Sequence, residues 1–143
     1  MGLKEALRGK RVYFDTNIFI YLLEGNKSFE NPISCIRELI EDEDIFIVSC
    51  DLTYTEMLPI HARNEDEAAM NHILKFLSEF EMVGLSRKLM IQAGILRGEL
   101  GMKTPDTIHV VSAIESECDV FLTNDDGIRV PKGMQRIIIS DYV

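Results

Sequence analysis

Short apolar runs alternate along the chain with longer stretches in which apolar residues recur every three or four positions. The first pattern predicts strands and the second helices. Arg11 to Phe14 (RVYF) is a β-rich run ending at Asp15, and TNIFIYLL after it carries helical spacing. A second helix is predicted from about Pro32 to Glu41, with Pro32 suited to a first helical position and Ile33, Ile36, Leu39 and Ile40 as its buried stripe. Ile45 to Val48 (IFIV) reads as a fully buried strand. The segment from Thr53 through Arg63 has helical character broken at Pro59, because proline lacks the donor and crowds the preceding turn.

Asp66 to Phe80 is the longest amphipathic candidate, with Ala69, Ile73, Phe76, Leu77 and Phe80 on one side. Met82 to Leu85 predicts a short strand, and Ser86 to Leu100 a helix closed by Gly101. Thr104 is placed to cap the next helix, Pro105 is preset for its first turn, and Ile108, Val111 and Ile114 pack inward. Val120 to Thr123 and Arg136 to Ser140 complete the strands. Such alternation predicts an α/β fold of three layers, a central, mostly parallel sheet flanked by helices. With 143 residues, 46% of them hydrophobic, the chain fits one domain spanning 1–143.

Composition narrows the chemistry. No apolar run approaches a membrane span and the amino-terminal segment lacks the apolar length of a secretory signal, so a soluble cytoplasmic protein without membrane partners is expected. Cys35, Cys50 and Cys118 are odd in number and form no CxxC pair, which argues against a disulfide framework or zinc knuckle. His61, His72 and His109 lack zinc-ligand spacing. The net charge of −9 is unlike that of a protein gripping nucleic acid through phosphates, although a local basic patch and metal-directed carboxylates are compatible with it.

The carboxylates are the candidate chemistry. Taken singly each has a structural explanation: Asp15 can cap the helix after it, Glu56 completes a Thr53-x-x-Glu56 capping box, Asp106 lies in a first turn, and NDDG at 124–127 is an ordinary turn. Taken together, Asp15 and Asp125 follow strands while Glu56 and Asp106 lie near helix starts, and in an open parallel sheet those places converge on the crevice beyond the strand ends. Two carboxylates about 4 Å apart repel by roughly 4 kcal/mol at an effective dielectric near 20. Such a cluster needs protons or a cation, and hard oxygen ligands favour Mg²⁺, Mn²⁺ or Ca²⁺ over zinc. A site of that kind suits phosphodiester hydrolysis without a Ser, His or Cys nucleophile.

Four stretches, FDTN at 14–17, TYTEML at 53–58, TPDTIHVVSA at 104–113 and FLTND at 121–125, resemble in order and spacing the acidic motifs of the PIN domain family. The resemblance spans nearly the whole chain. It implies a Mg²⁺- or Mn²⁺-dependent endoribonuclease like the VapC-type toxins of toxin–antitoxin pairs, with RNA as substrate, an antitoxin protein as partner and a homodimer as the working form. By that resemblance Asp15, Glu56, Asp106 and Asp125 match the acidic positions, Asn17 and Thr123 the polar positions beside the first and last, and Asp126 is an additional candidate ligand. The final loop departs from the family pattern, which leaves the fourth position open between Asp125 and Asp126. Arg97 and Lys103 precede the third acid, where they either steady substrate phosphates or form a solvated helix end. His109, three residues after Asp106, shares its helical face and either orients a water or phosphate or is simply buried.

Two other classes compete. A phosphatase of the haloacid dehalogenase type would use Asp15 as phosphoacceptor, but it wants a second acid where Asn17 stands. A catalytically silent binding module of the same fold would keep the acids as caps, and the presence of all four argues against a decayed site.

Overall fold

The computed structural model describes residues 2–143. Five strands form one wholly parallel sheet: β1 (Arg11–Phe14), β2 (Phe46–Cys50), β3 (Glu81–Val83), β4 (Val120–Thr123) and β5 (Gln135–Ile138), in the order β3-β2-β1-β4-β5. The chain moves outward from β1 through β2 to β3, then returns to lay β4 on the other side of β1. The order therefore reverses at β1, which makes the ends of β1 and β4 a topological switch point. Phe14 is in register with Leu122 there, and the Asp15 N–H continues the ladder by donating to the Leu122 carbonyl at 3.0 Å.

The helices are α1 (Leu3–Leu7), α2 (Thr16–Glu24), α3 (Glu30–Glu41), α4 (Leu52–Met57), α5 (Pro59–Arg63), α6 (Glu67–Leu77), α7 (Arg87–Leu100) and α8 (Thr104–Glu115). Because side chains alternate across a strand, each strand feeds two cores. Val12, Phe14, Val120 and Leu122 meet Ile18, Phe19, Ile33, Ile36 and Leu77 on one face. Tyr13, Val48, Cys50 and Phe121 meet Leu89, Ala93, Ile108 and Val111 of α7 and α8 on the other. The expected three-layer architecture is the one found. The break at Pro59 separates α4 from α5, and α7 ends at Gly101, whose φ of 70° is readily adopted only by glycine.

Several expectations are corrected. The second strand starts at Phe46 and is not fully buried: Phe46 is 61% exposed, because β3 pairs only from Val48 onward and leaves the start of β2 uncovered. The second helix opens at Glu30, so Pro32 is its third residue, where its missing N–H is still one of the donors that a helix leaves unpaired. Helix α6 ends at Leu77, and the last strand ends at Ile138, after which Ile139–Tyr142 forms a 3₁₀ turn. The short helix α1 has no counterpart among the sequence expectations.

Candidate functional site

Asp15 leaves the carboxyl end of β1 and is 7% exposed. Its Oδ1 accepts from the Thr16 N–H at 2.8 Å, making it the N-cap of α2, and its Oδ2 accepts from the Thr123 hydroxyl at 2.7 Å. Thr123 is the last residue of β4, and the β1–β4 register brings it to Asp15. The Thr123 Oγ1 also accepts from the Asp125 N–H at 3.0 Å and from the Asn17 side-chain amide at 3.4 Å. Asn17 in turn accepts from the Asn124 N–H at 3.2 Å. The polar residues beside the first and last acids thus tie the start of α2 to the end of β4.

Glu56 does not complete a capping box. Helix α4 is entered from Asp51, and Thr53 is fully buried inside the helix, where its hydroxyl lies 3.1 Å from both Ser49 Oγ and Thr16 Oγ1. Tertiary partners have claimed the hydroxyl that local spacing assigned to the cap. Glu56 Oε1 accepts instead from Thr16 Oγ1 at 2.8 Å and from His109 Nε2 at 2.6 Å. Burial acts to raise its pKa, but the hydrogen bond and charge of His109, with the Thr16 hydroxyl, hold it below the usual carboxylate value.

Thr104 does not cap α8 either. Lys103 occupies the N-cap position without a side-chain cap bond, and Asp106 lies in the first turn. The Asp106 pKa is raised, first by burial and then by the negative charges of Asp125 and Asp15, against smaller opposing effects of His109 and Lys103. The charges of Asp125 and Asp15 are thus felt at Asp106, though burial is the larger cause. Asp125 closes a small turn by accepting from the Gly127 N–H at 2.8 Å. Asp126 is exposed, and its carbonyl accepts from Arg136 at 2.8 Å. Arg97 and Lys103 are both exposed; Lys103 acts on Asp106 electrostatically, and Arg97 lines a small surface hollow with Thr104 and Thr107 at the start of α8.

His109 is 1% exposed. Its Nδ1 is 2.7 Å from the Tyr13 hydroxyl and 3.6 Å from Cys50 Sγ, and its Nε2 is also 3.8 Å from Asp15 Oδ1. Burial alone would lower its pKa; the hydrogen bonds to Cys50 and Glu56, then the charges of Cys50 and Asp15, push it up to about 10. Among these partners Glu56 has the shortest contact. Thr16, Tyr13, Ser49, Thr53 and Asn124 belong to the same network; Thr16, Thr53 and Asn124 lie inside the acidic motifs without being singled out for it, and Tyr13 and Ser49 carry no signal beyond their place at a strand.

The donor set suits a hard cation in kind, since it offers carboxylate oxygens that destabilise one another as anions at Asp106. Among the described residues, no group of three or more His, Cys, Asp or Glu side chains is drawn together closely enough to hold an ion as it stands. Glu56 is drawn toward His109, and Asp125 toward its own turn.

The His109–Glu56 pair makes stability depend on pH. The raised histidine contributes fully below its ordinary value of 6.5 and progressively less as pH climbs toward 10; the lowered Glu56 contributes above 4.5 and loses its contribution at more acid pH. Cys50, whose thiol burial acts to raise but His109 holds below 9.0, gains in the same alkaline range and offsets part of that loss; in chelator-containing buffer, urea unfolding is expected to show stability falling between pH 7 and 10. His109→Gln should be less stable at pH 6 and should flatten that slope. An unchanged slope in the variant would assign the alkaline loss to other groups.

The family profile described as PIN domain matches residues 12–133. A search of curated protein sequences returns no match. In solved structures, the chain is similar to a toxin–antitoxin complex from Klebsiella pneumoniae, with a TM-score of 0.65 at 20% identity over 90% of this chain and 97% of that one. It is similar also to VapBC2 from Rickettsia felis bound to a DNA fragment from its promoter, with a TM-score of 0.66 at 20% identity over 90% and 98% of the two chains. At that identity the likeness speaks for the fold, while the profile spans most of the chain and both of its central strands. The chain belongs to the PIN domain family.

Proposed function

We propose that this chain is a divalent-metal-dependent endoribonuclease of the VapC type, cytoplasmic, with residues 1–143 as its nuclease domain. What carries the reading is the placement of Asp15 at the switch point of a parallel sheet, where ligands of such sheets bind, with Asp106 held above its usual pKa by burial and then by the charges of Asp125 and Asp15. A bound Mg²⁺ or Mn²⁺ supplies a Lewis acid for the scissile phosphate and a water of lowered pKa. Asp15, Asp106 and Asp125 are its proposed protein ligands, with Glu56 joining them from α4. Asp125 is preferred to Asp126, because Asp106 senses Asp125, while Asp126 is exposed beside a carbonyl tied to Arg136. Arg97 and Lys103 are proposed to steady RNA phosphates as they approach, a role that needs only a local patch on a chain of charge −9.

The likeness to toxin–antitoxin complexes supports a toxin role with an antitoxin partner. Homodimerisation has its own support in α7. Leu89 and Ala93 face the core, yet Met90, Ile91 and Ile95 are exposed on the outer side, with Ile114 of α8 beyond them; Ile95 is 60% exposed. A helix apolar on both sides calls for a second covering surface. The same face of a second copy is complementary to it: Arg87 and Lys88 stand at one end of α7 and Glu99 at the other, so two antiparallel α7 helices place opposite charges together. Gly94 and Gly98 have nothing within 4 Å of where a Cβ would stand, leaving room for close approach.

Purified protein is expected to cleave RNA with Mn²⁺ or Mg²⁺ and not with chelator, and Asp106→Asn should lower the rate by about 100-fold or more. Absence of cleavage by the unaltered chain with either metal would leave a binding module as the better description. Sedimentation should give a dimer that Ile95→Glu converts to a monomer with unchanged secondary structure by circular dichroism. Lys88→Glu should weaken the dimer, and adding Glu99→Lys should restore it; failure of that restoration would reject the antiparallel pairing.

A further inference from the structure

We propose that Thr16 and His109 are positioning residues that occupy one oxygen of Glu56 and leave the other as that residue's single ligand atom; the inference rests on the metal-nuclease reading above. A carboxylate has about four lone-pair sites, two on each oxygen. Oε1 of Glu56 takes the Thr16 hydroxyl at 2.8 Å and His109 Nε2 at 2.6 Å, so both of its sites are filled and a bidentate grip on an ion is closed to it. Asp15 is arranged differently. Each of its oxygens has one close donor, the Thr16 N–H on Oδ1 and the Thr123 hydroxyl on Oδ2, so each keeps a free site.

Both positioning residues are themselves held. Ser49 donates to the Phe14 carbonyl at 2.8 Å, and Thr53 stands 3.1 Å from both Ser49 and Thr16 with one proton to give; donated to Thr16, it leaves the Thr16 proton for Glu56. His109 is seated on the Tyr13 hydroxyl at its other nitrogen, and the Tyr13 ring stacks on Phe121 at 5.0 Å. Glu56 is the opposite case: its side chain keeps 33% of its surface exposed, and nothing in α4 alone would hold it still. The same two residues also reach Asp15, through the Thr16 N–H and a His109 approach of 3.8 Å. Thr16 and His109 thereby touch both acids. The orientation of Glu56 comes from α2 and α8, not from its own helix.

The test measures Mn²⁺ binding by calorimetry on the full chain without RNA. Thr16→Val and His109→Leu are expected to weaken binding by about 10- to 100-fold, as loss of an outer-shell partner does. Thr16→Ser, which keeps the hydroxyl, should bind as the unaltered protein does. Thr16→Val added to Glu56→Ala should weaken binding no further than Glu56→Ala alone, an outcome that general loosening of the fold would not give. In RNA cleavage kcat should fall with KM unchanged. If His109→Leu does not fold, the Thr16 series decides. Unaltered protein that binds Mn²⁺ and cleaves RNA while Thr16→Val is indistinguishable from it overturns the positioning alone, as does a Glu56→Ala variant of undiminished Mn²⁺ affinity. Unaltered protein that neither binds Mn²⁺ nor cleaves overturns the nuclease reading and this inference with it.

Discussion

The structure turns on a carboxylate that has been taken out of water. Asp15 sits at the end of the central strand at 7% exposure, and burying an ionised carboxylate costs several kcal/mol unless donors replace its hydration. Two donors come from different directions, the first N–H of α2 and the hydroxyl ending β4, and the His109 ring of α8 lies 3.8 Å away with its Nε2 turned to Glu56. Each requires an element to be where it is. Thr123 reaches Asp15 only if β4 lies beside β1 with Phe14 opposite Leu122, so the reversal of strand order is coupled to the solvation of one charge. A sheet in which β4 paired elsewhere would leave Asp15 buried with fewer donors.

The acids divide by how far the protein satisfies them. Glu56 has a histidine and a hydroxyl on one oxygen and is held below its usual pKa, whereas Asp106 is pushed upward by burial and by its two aspartate neighbours. His109 is the divider between these halves. It lies one turn along α8 from Asp106 and meets Glu56 directly, so its charge opposes part of the repulsion at Asp106 and opposes the effect of burial at Glu56. Lys103, exposed at the start of α8, is the cation that opposes the rise at Asp106 from its own helix end.

Element type was legible in the sequence where the signal is itself the physical cause. Runs such as RVYF and VFLT are strands because burial on both faces selects continuous apolar residues, and Pro59 and Gly101 mark breaks because the backbone demands them there. The acids could be named as a set, since strand ends and helix starts converge in any parallel sheet. What could not be read was partnership. Thr53 and Thr104 look like caps by spacing, yet Thr53 turns inward to Ser49 and Thr16, and α8 starts after Lys103 without a side-chain cap. Phe46 looks like core and lies outside it, because the extent of β3 is set by register and not by the composition of β2. His109 was visible only as a neighbour of Asp106; its burial against Tyr13 depends on α8 lying across the β1 face that Tyr13 shares with Cys50 and Phe121.

The structural and chemical readings of these acids turn out not to compete. Asp15 does cap α2, through one lone pair on Oδ1, and the cap is compatible with the ligand role proposed for it: with the Thr16 N–H on Oδ1 and the Thr123 hydroxyl on Oδ2, each oxygen keeps a free site. Asp106 lies in the first turn of α8, where a negative charge is favoured by the helix dipole, yet burial and two neighbouring aspartates outweigh that favour and raise its pKa. Of two helix-start aspartates in one site, the buried cap is well supplied with donors and the first-turn residue is not. The difference follows from neighbours brought in by the sheet, so a helix-start role, even when real, says nothing about whether an acid is free for chemistry; the count of donors on each oxygen does.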